Sequence, residues 1–118
     1  MKGKLTKIIV FIGIVVFAIN CKSSDLNIEA PICIENKIEE ILNKEVSNPP
    51  TQVWRWEVDG ETYYYVTSDC CDQLNILYSK NCDIVCAPDG GFTGNGDGNC
   101  PDFNSKIIKS LIWVDDRE

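Results

Sequence analysis

The chain has 118 residues, with 18 acidic against 11 basic side chains, a net charge of −7 and no histidine. An acidic surface repels phosphate backbones, so nucleic acid is not an expected partner. The absence of histidine removes the usual general base, the commonest zinc ligand and the Ser/His and Cys/His nucleophile pairs. We therefore expect a non-catalytic protein, and an acid–base enzyme built on carboxylates is the enzymatic alternative.

The N-terminus has the pattern of an export signal. Residues 1–7 carry three lysines and no acid, and residues 8–19 are an unbroken apolar run. That run is shorter than a membrane span of about 20 residues but suits a signal-peptide core of about 7–15. It leads into residues 18–21, Ala-Ile-Asn-Cys, which resemble the lipobox of bacterial lipoproteins.

These features predict how the chain is processed and where it is located. We expect a signal peptide over residues 1–20, a lipid on Cys21, a tether over residues 22–30 and one domain over residues 31–118. The protein would then sit in the bacterial cell envelope, anchored in a membrane and facing the periplasm or the cell surface. Cleavage after Ala18 and an uncleaved anchor are the alternatives.

The number of cysteines supports the same arrangement. Seven cysteines would leave one thiol unpaired in an exported protein, whereas a lipid on Cys21 leaves an even number. We expect disulfides, because the C-x-x-C spacing of zinc sites and redox dithiols is absent. Their pairing stays open, except that the neighbours Cys70 and Cys71 should have different partners. The predicted disulfide cysteines are Cys33, Cys70, Cys71, Cys82, Cys86 and Cys100.

The first element of the predicted domain is a helix over residues 34–45, which follows Pro31. Ile34, Ile38 and Ile41 recur at helical spacing and form one apolar stripe. Such a stripe usually faces the core, and a partner-binding helix is the alternative.

A β-hairpin is predicted over residues 52–67, because the Asp-Gly pair at residues 59–60 is a strong two-residue turn. This turn places four aromatic side chains on one side of the hairpin, here named the aromatic panel: Trp54, Trp56, Tyr63 and Tyr65. We expect the panel to pack against the helix stripe and form the core. A stacking platform for a sugar or a peptide is the alternative, which exposure of the panel would favour.

The later elements complete a small fold. Residues 74–78 and 83–86 predict two short strands, or one strand and a helical turn. Residues 107–114 predict a last strand, and residues 115–118 a solvated tail. The expected fold class is therefore α+β, with one helix packed on a small antiparallel sheet of about four or five strands, stapled by disulfides and carrying a Gly-rich loop.

That loop covers residues 89–102, and we expect Cys86 and Cys100 to hold it. Its alternating oxygen ligands are similar to the start of an EF-hand calcium loop. Cys100 then stands in place of the required glycine, and Lys106 in place of the bidentate glutamate. A calcium-binding module is the alternative function, with four ligands: Asp89, Asn95, Asp97 and Asp102.

Three motifs carry a family resemblance: CCD at residues 70–72, CAPDGG at residues 86–91 and GDGNCPDF at residues 96–103. With them the chain resembles an uncharacterised family of small cysteine-rich bacterial lipoproteins, a domain of unknown function. The resemblance covers most of the predicted domain. It implies a location in the envelope and supplies no catalytic residue, ligand or partner.

Taken together, these patterns predict a lipid-anchored envelope protein that acts as a non-catalytic binding module. Functional contacts concentrate on loops held by a stable scaffold, so the loop over residues 88–102 is the expected contact surface. The expected partner is an envelope protein or a glycan.

Overall fold

The computed structural model describes residues 29–118, which form one helix and a five-stranded antiparallel sheet. The elements are α1 (Ile32–Leu42), β1 (Gln52–Val58), β2 (Glu61–Val66), β3 (Leu74–Ser79), β4 (Ile84–Gly90) and β5 (Ile108–Val114). In the sheet they follow the order β4-β3-β2-β1-β5. The predicted α+β class is confirmed. No helix in this part of the chain is long and apolar enough to cross a membrane, and the predicted signal peptide and Cys21 lie outside the described residues.

The β1–β2 hairpin forms as predicted. Asp59 and Gly60 have φ angles of 52° and 75°, which is the left-handed region that a two-residue hairpin turn of this type requires. Within the aromatic panel, Trp56 lies opposite Tyr63 and Trp54 lies opposite Tyr65. The turn chemistry therefore sets the register of the two central strands.

The remaining strands extend the hairpin on both sides. Of the alternatives for residues 74–86, the structure has the two strands, β3 and β4. The last strand, β5, crosses to the far edge and pairs with β1. Its register shifts between Val53 and Trp54, which is a β-bulge that redirects side chains. Lys109 and Leu111 consequently lie opposite Trp56 and Trp54.

The helix packs on the side of the sheet opposite to the aromatic panel. Ile34 and Ile38 are 0% exposed and cluster with Val53 and Tyr64, which alternate with the panel residues along β1 and β2. The prediction that the panel packs against the helix stripe is therefore wrong.

Two disulfides explain which side each segment covers. Cys33 in α1 is bonded to Cys82 in the β3–β4 turn, with their Cα atoms 6.1 Å apart. Cys86 lies opposite Leu77 on the panel side, and its bond to Cys100 (Cα–Cα 5.0 Å) brings residues 100–107 over that side. The Cys33–Cys82 bond thus holds the helix on one side of the sheet. The Cys86–Cys100 bond holds residues 100–107 over the aromatic panel on the other side.

The helix is also shorter at its C-terminal end than predicted. Pro31 precedes it as expected, and the Pro31 carbonyl accepts bonds from the N–H groups of Ile34 and Glu35. The helix ends at Leu42, so Lys44 lies beyond it, with its Nζ atom 4.0 Å from Oδ2 of Asp69.

Cys70 and Cys71 are bonded to each other, so the prediction of separate partners is wrong. The other four cysteines of the domain are already paired, and these two are adjacent in the loop between β2 and β3. That loop is closed by a turn in which the Gln73 N–H donates to the Cys70 carbonyl at 3.1 Å. Both sulfur-bearing residues are exposed.

The C-terminal tail is not entirely solvated, contrary to prediction. Asp115 is 1% exposed and accepts two bonds from the guanidinium of Arg117, from Nε and Nη2, each at 2.8 Å. The Arg117 guanidinium also donates to the carbonyls of Leu42 (2.9 Å) and Ile41 (3.3 Å). The tail therefore supplies the partners that the last carbonyls of α1 lack within the helix.

This arrangement predicts a pH dependence of stability. The hydrogen bonds from Arg117 hold the pKa of the Asp115 carboxyl below its ordinary value. A depressed folded-state pKa contributes stability above the unfolded-state pKa of about 4, and that contribution is lost as the pH falls through the folded-state pKa. We expect Asp115→Asn to lower the urea midpoint at pH 7, with the difference from wild type shrinking below about pH 4.

The exposed neighbour Asp116 provides the control for this measurement. Asp116→Asn should leave the urea midpoint unchanged at pH 7 and at pH 3. An Asp115→Asn difference that is the same at pH 3 and pH 7 would contradict the role of the carboxylate charge.

Candidate functional site

The aromatic panel is covered at one end and open at the other. Near the hairpin turn, Phe103 packs edge-on against Tyr63, with ring centroids 5.6 Å apart and an interplanar angle of 64°. Trp56 is 5% exposed and stacks with Tyr65 at 5.2 Å and 20°. Trp54 and Tyr65 are half-buried, as is Tyr63, but the ring of Phe103 lies against Tyr63. The Trp54–Tyr65 end is therefore the part of the panel without this cover.

A cavity of about 180 Å³ opens over this end of the panel, here named the aromatic cavity. It is lined by Trp54, Trp56, Tyr65, Asp89 and Lys109. It thus combines three aromatic rings with one carboxylate and one ammonium group. A few placed polar groups on an apolar surface are the general composition of small-molecule sites.

The Asp89 carboxylate is held in a fixed position by its neighbours. Its Oδ1 atom accepts from the Tyr65 hydroxyl and from Nδ2 of Asn75, both at 2.7 Å. Asn75 is fixed in turn, because its Oδ1 atom accepts the Ser68 N–H at 2.7 Å. Within residues 29–118, no group donates to Oδ2 of Asp89, so this oxygen can accept a bond from a ligand.

The hydroxyl of Tyr65 stays protonated at any ordinary pH. Burial raises the pKa of the Tyr65 phenol, and the hydrogen bond to Asp89 raises it further. The group therefore acts as a permanent donor that orients the carboxylate.

The other wall of the aromatic cavity comes from β1 and β5. Trp54 Nε1 donates to Oε1 of Gln52 at 2.9 Å, which fixes the orientation of the indole ring. Lys109 places its Nζ atom 4.4 Å from the centroid of the Trp56 ring, a cation–π distance. Lys109 thus brings a hydrogen-bond donor to the cavity that Asp89 also lines.

The Gly-rich loop folds back onto β4. The Gly96 N–H donates to the Gly90 carbonyl (3.1 Å), and the Asp97 N–H donates to the Ala87 carbonyl (2.9 Å). Phe92, near the tip of the loop, is 93% exposed. The predicted role of Cys86 and Cys100 in holding this loop is confirmed.

Gly96 offers a test of this contact, with Gly94 as a matched control. Both glycines have a positive φ, 72° and 78°, so alanine is strained at either position. A Cβ at Gly96 would overlap the Ala87 carbonyl oxygen, whereas a Cβ at Gly94 would meet nothing within 4 Å. We expect Gly94→Ala to lower the free energy of unfolding, measured in urea, by about 1 kcal/mol. Gly96→Ala should lower it clearly more. Equal losses would contradict close packing of the loop on β4.

Two of the four predicted calcium ligands serve other contacts. Asp89 belongs to the aromatic cavity, and Oδ1 of Asp97 accepts the Asn99 N–H at 2.9 Å. Asn95 and Asp102 are exposed. In the described part of the chain, no three acidic or cysteine residues gather as metal ligands. Calcium binding stays a prediction, which a calcium titration of the full chain would test.

Two residues of this site, Lys109 and Asn75, were not found from the sequence, and a third, Asp89, was predicted with another role. Lys109 reaches the panel only through the β1–β5 pairing and its bulge, although its alternation with Leu111 indicates a shared side of one strand. Asp89 was assigned to a calcium loop, and Asn75 carried no signal in the sequence.

Comparison with curated proteins and with solved structures finds no match to the chain. A family model described as a domain of unknown function, DUF6970, matches residues 39–115. The matched range contains all five strands and the residues of the aromatic cavity. The expected resemblance to an uncharacterised family is confirmed to that extent, and the chain belongs to the DUF6970 family.

Proposed function

We propose that this protein is a non-catalytic binding module of the bacterial cell envelope, anchored by a lipid on Cys21, and that it binds a glycan in the aromatic cavity. One observation carries the proposal: the Trp54–Tyr65 end of the panel is left open beside a fixed carboxylate and an ammonium group. An exposed aromatic panel favours a glycan as the ligand over the other expected partners.

The chemistry of the cavity suits a sugar ring. The C–H faces of a pyranose are apolar and pack on flat aromatic side chains, while its hydroxyl groups project from the rim. Oδ2 of Asp89 would accept from a hydroxyl, and Nζ of Lys109 would donate to one. Trp54 and Tyr65 supply a large contact area with little loss of side-chain entropy, because each has only two side-chain torsions.

Other parts of the proposal rest on the sequence. The basic residues 1–7, the apolar run 8–19 and Cys21 support export and lipidation. The absence of histidine supports a binding role over catalysis. Intact-mass analysis of the protein from its native membrane tests the anchor. A chain that begins at Cys21 and carries acyl mass supports it, and a chain that retains residues 1–20 contradicts it.

An array of immobilised oligosaccharides, probed with the full chain, tests the binding role. We expect retention of at least one saccharide, with loss of retention in a Trp54→Ala variant. If no saccharide is retained, or if retention depends on Phe92 in the loop and not on Trp54, glycan binding in the aromatic cavity is refuted.

A further inference from the structure

A second and larger cavity, of about 280 Å³, adjoins the aromatic cavity at one end of the sheet. We name it the proline cavity, after Pro49 and Pro50 on one wall. The exposed Cys70–Cys71 disulfide lies on another wall. The aromatic cavity does not explain this second cavity, and the positions of the strands show how the two are related.

The strand register shows that the two cavities share one side of the sheet. Trp54 lies opposite Tyr65, and Tyr65 lies opposite Leu77. Side chains two positions apart on a strand point to the same side. Two positions further along, the panel side therefore carries a row of three side chains: Gln52 on β1, Thr67 directly after β2 and Asn75 on β3. All three line the proline cavity.

Hydrogen bonds connect the two rows. Trp54 of the aromatic cavity donates to Gln52 of the proline cavity at 2.9 Å. Asn75 of the proline cavity donates to Asp89 of the aromatic cavity at 2.7 Å. Rows of this kind are about 7 Å apart along a strand, at about 3.4 Å per residue. The two cavities are thus neighbours on one side of the sheet. Together they are named the groove, with the aromatic cavity as its aromatic end and the proline cavity as its polar end.

The polar end presents amide groups beside apolar walls. Oε1 of Gln52 is occupied by Trp54, but among residues 29–118 its Nε2 group has no hydrogen-bond partner. The side-chain amide of Gln73, which is exposed at the rim, likewise has none in this range. An amide both donates and accepts, and the proline rings offer apolar contact. A ligand amide that carries a methyl group is complementary to both features.

We propose that the proline cavity is a subsite for an N-acetylated hexosamine, joined to the sugar unit that occupies the aromatic cavity. The ligand is then an oligosaccharide of at least two units, which lies along the groove. This inference rests on the proposed glycan binding and specifies the class of glycan.

Two trimers that differ only in the substituent on C2 of each unit test the subsite. Chitotriose and cellotriose are both β-1,4-linked trimers, and they carry an acetamido group and a hydroxyl, respectively, on C2 of each unit. We expect the full chain to bind chitotriose at least about tenfold more tightly in calorimetry, a difference that corresponds to about 1.4 kcal/mol. Gln73→Ala should reduce this preference severalfold, because it weakens the binding of chitotriose more than that of cellotriose.

Deletion of a side-chain amide outside the proline cavity provides the control. Asn81 is exposed in the β3–β4 turn, at the other end of β3 from Gln73, and Asn81→Ala should keep the full preference. Thermal unfolding of both variants checks that the fold is retained.

The outcomes separate this inference from the proposed function. Equal affinity for the two trimers, or a preference that Gln73→Ala leaves intact, overturns the acetamido subsite while glycan binding stands. The same holds if the array retains only saccharides without an acetamido group. If no saccharide binds at all, both proposals are overturned.

Discussion

Replacement of Cys33 and Cys82 together by serine should lower the free energy of unfolding by about 4 kcal/mol. This disulfide joins residues 49 positions apart, and the loss of chain entropy that a cross-link imposes on the unfolded state grows with the length of the closed loop. It is also the covalent link between α1 and the sheet. The helix otherwise depends mainly on the burial of Ile34 and Ile38 and on the tail contact through Arg117.

The other two disulfides provide the comparison series for urea unfolding of the full chain. Removal of Cys86–Cys100, with a separation of 14, should cost about 3 kcal/mol. The Cys70–Cys71 bond, with a separation of 1, closes no loop of significant length. Its removal should therefore lower the free energy of unfolding much less. A Cys70→Ser/Cys71→Ser variant that is destabilised as strongly as the Cys33→Ser/Cys82→Ser variant would contradict this ranking.

Local chemistry was enough to predict the elements of the fold. The Asp-Gly turn determines the hairpin and its register by itself, and the spacing of Ile34 and Ile38 determines which side of the helix is buried. Neither pattern says which side of the sheet the helix meets. Both sides of β1 and β2 carry large apolar side chains, including Val53 and Tyr64 on one and Trp54 on the other.

The choice between the two sides depends on distant pairings. The Cys33–Cys82 and Cys86–Cys100 bonds direct the helix and the loop to opposite sides, and sequence alone leaves their connectivity open. The vicinal Cys70–Cys71 bond follows from the same pairing, because it joins the two cysteines that remain.

The candidate site was predicted in part for the same reason. Its aromatic rings come from one local hairpin, so the sequence placed Trp54 and Tyr65 together. Its charged groups come from strands at opposite edges of the sheet, Asp89 from β4 and Lys109 from β5. No short-range pattern records that these two residues approach the same hairpin. The structure of the tail was not predicted for the same reason, since Arg117, which donates to Asp115, also donates to the carbonyl of Leu42, far away in the sequence.

Trp54→Ala should weaken glycan binding at least about tenfold. Trp54 is a half-buried ring of the aromatic cavity, and its indole N–H already donates to Gln52, so its contribution to a ligand is the flat ring. Stacking on an aromatic side chain is worth about 1–3 kcal/mol for nucleic-acid bases, and about 1.4 kcal/mol is a tenfold change. Calorimetric titration of the full chain with a saccharide retained on the array measures the loss.

Two further variants distinguish stacking from a general effect on the fold. Trp54→Phe keeps a ring but loses the bond to Gln52, so it should restore most of the affinity if stacking is the main contribution. Phe92→Ala removes a ring that is 93% exposed on the Gly-rich loop and should leave the affinity unchanged. If Phe92→Ala abolishes binding while Trp54→Ala does not, the ligand contacts the loop instead of the sheet, and the aromatic cavity has to be abandoned as the binding site.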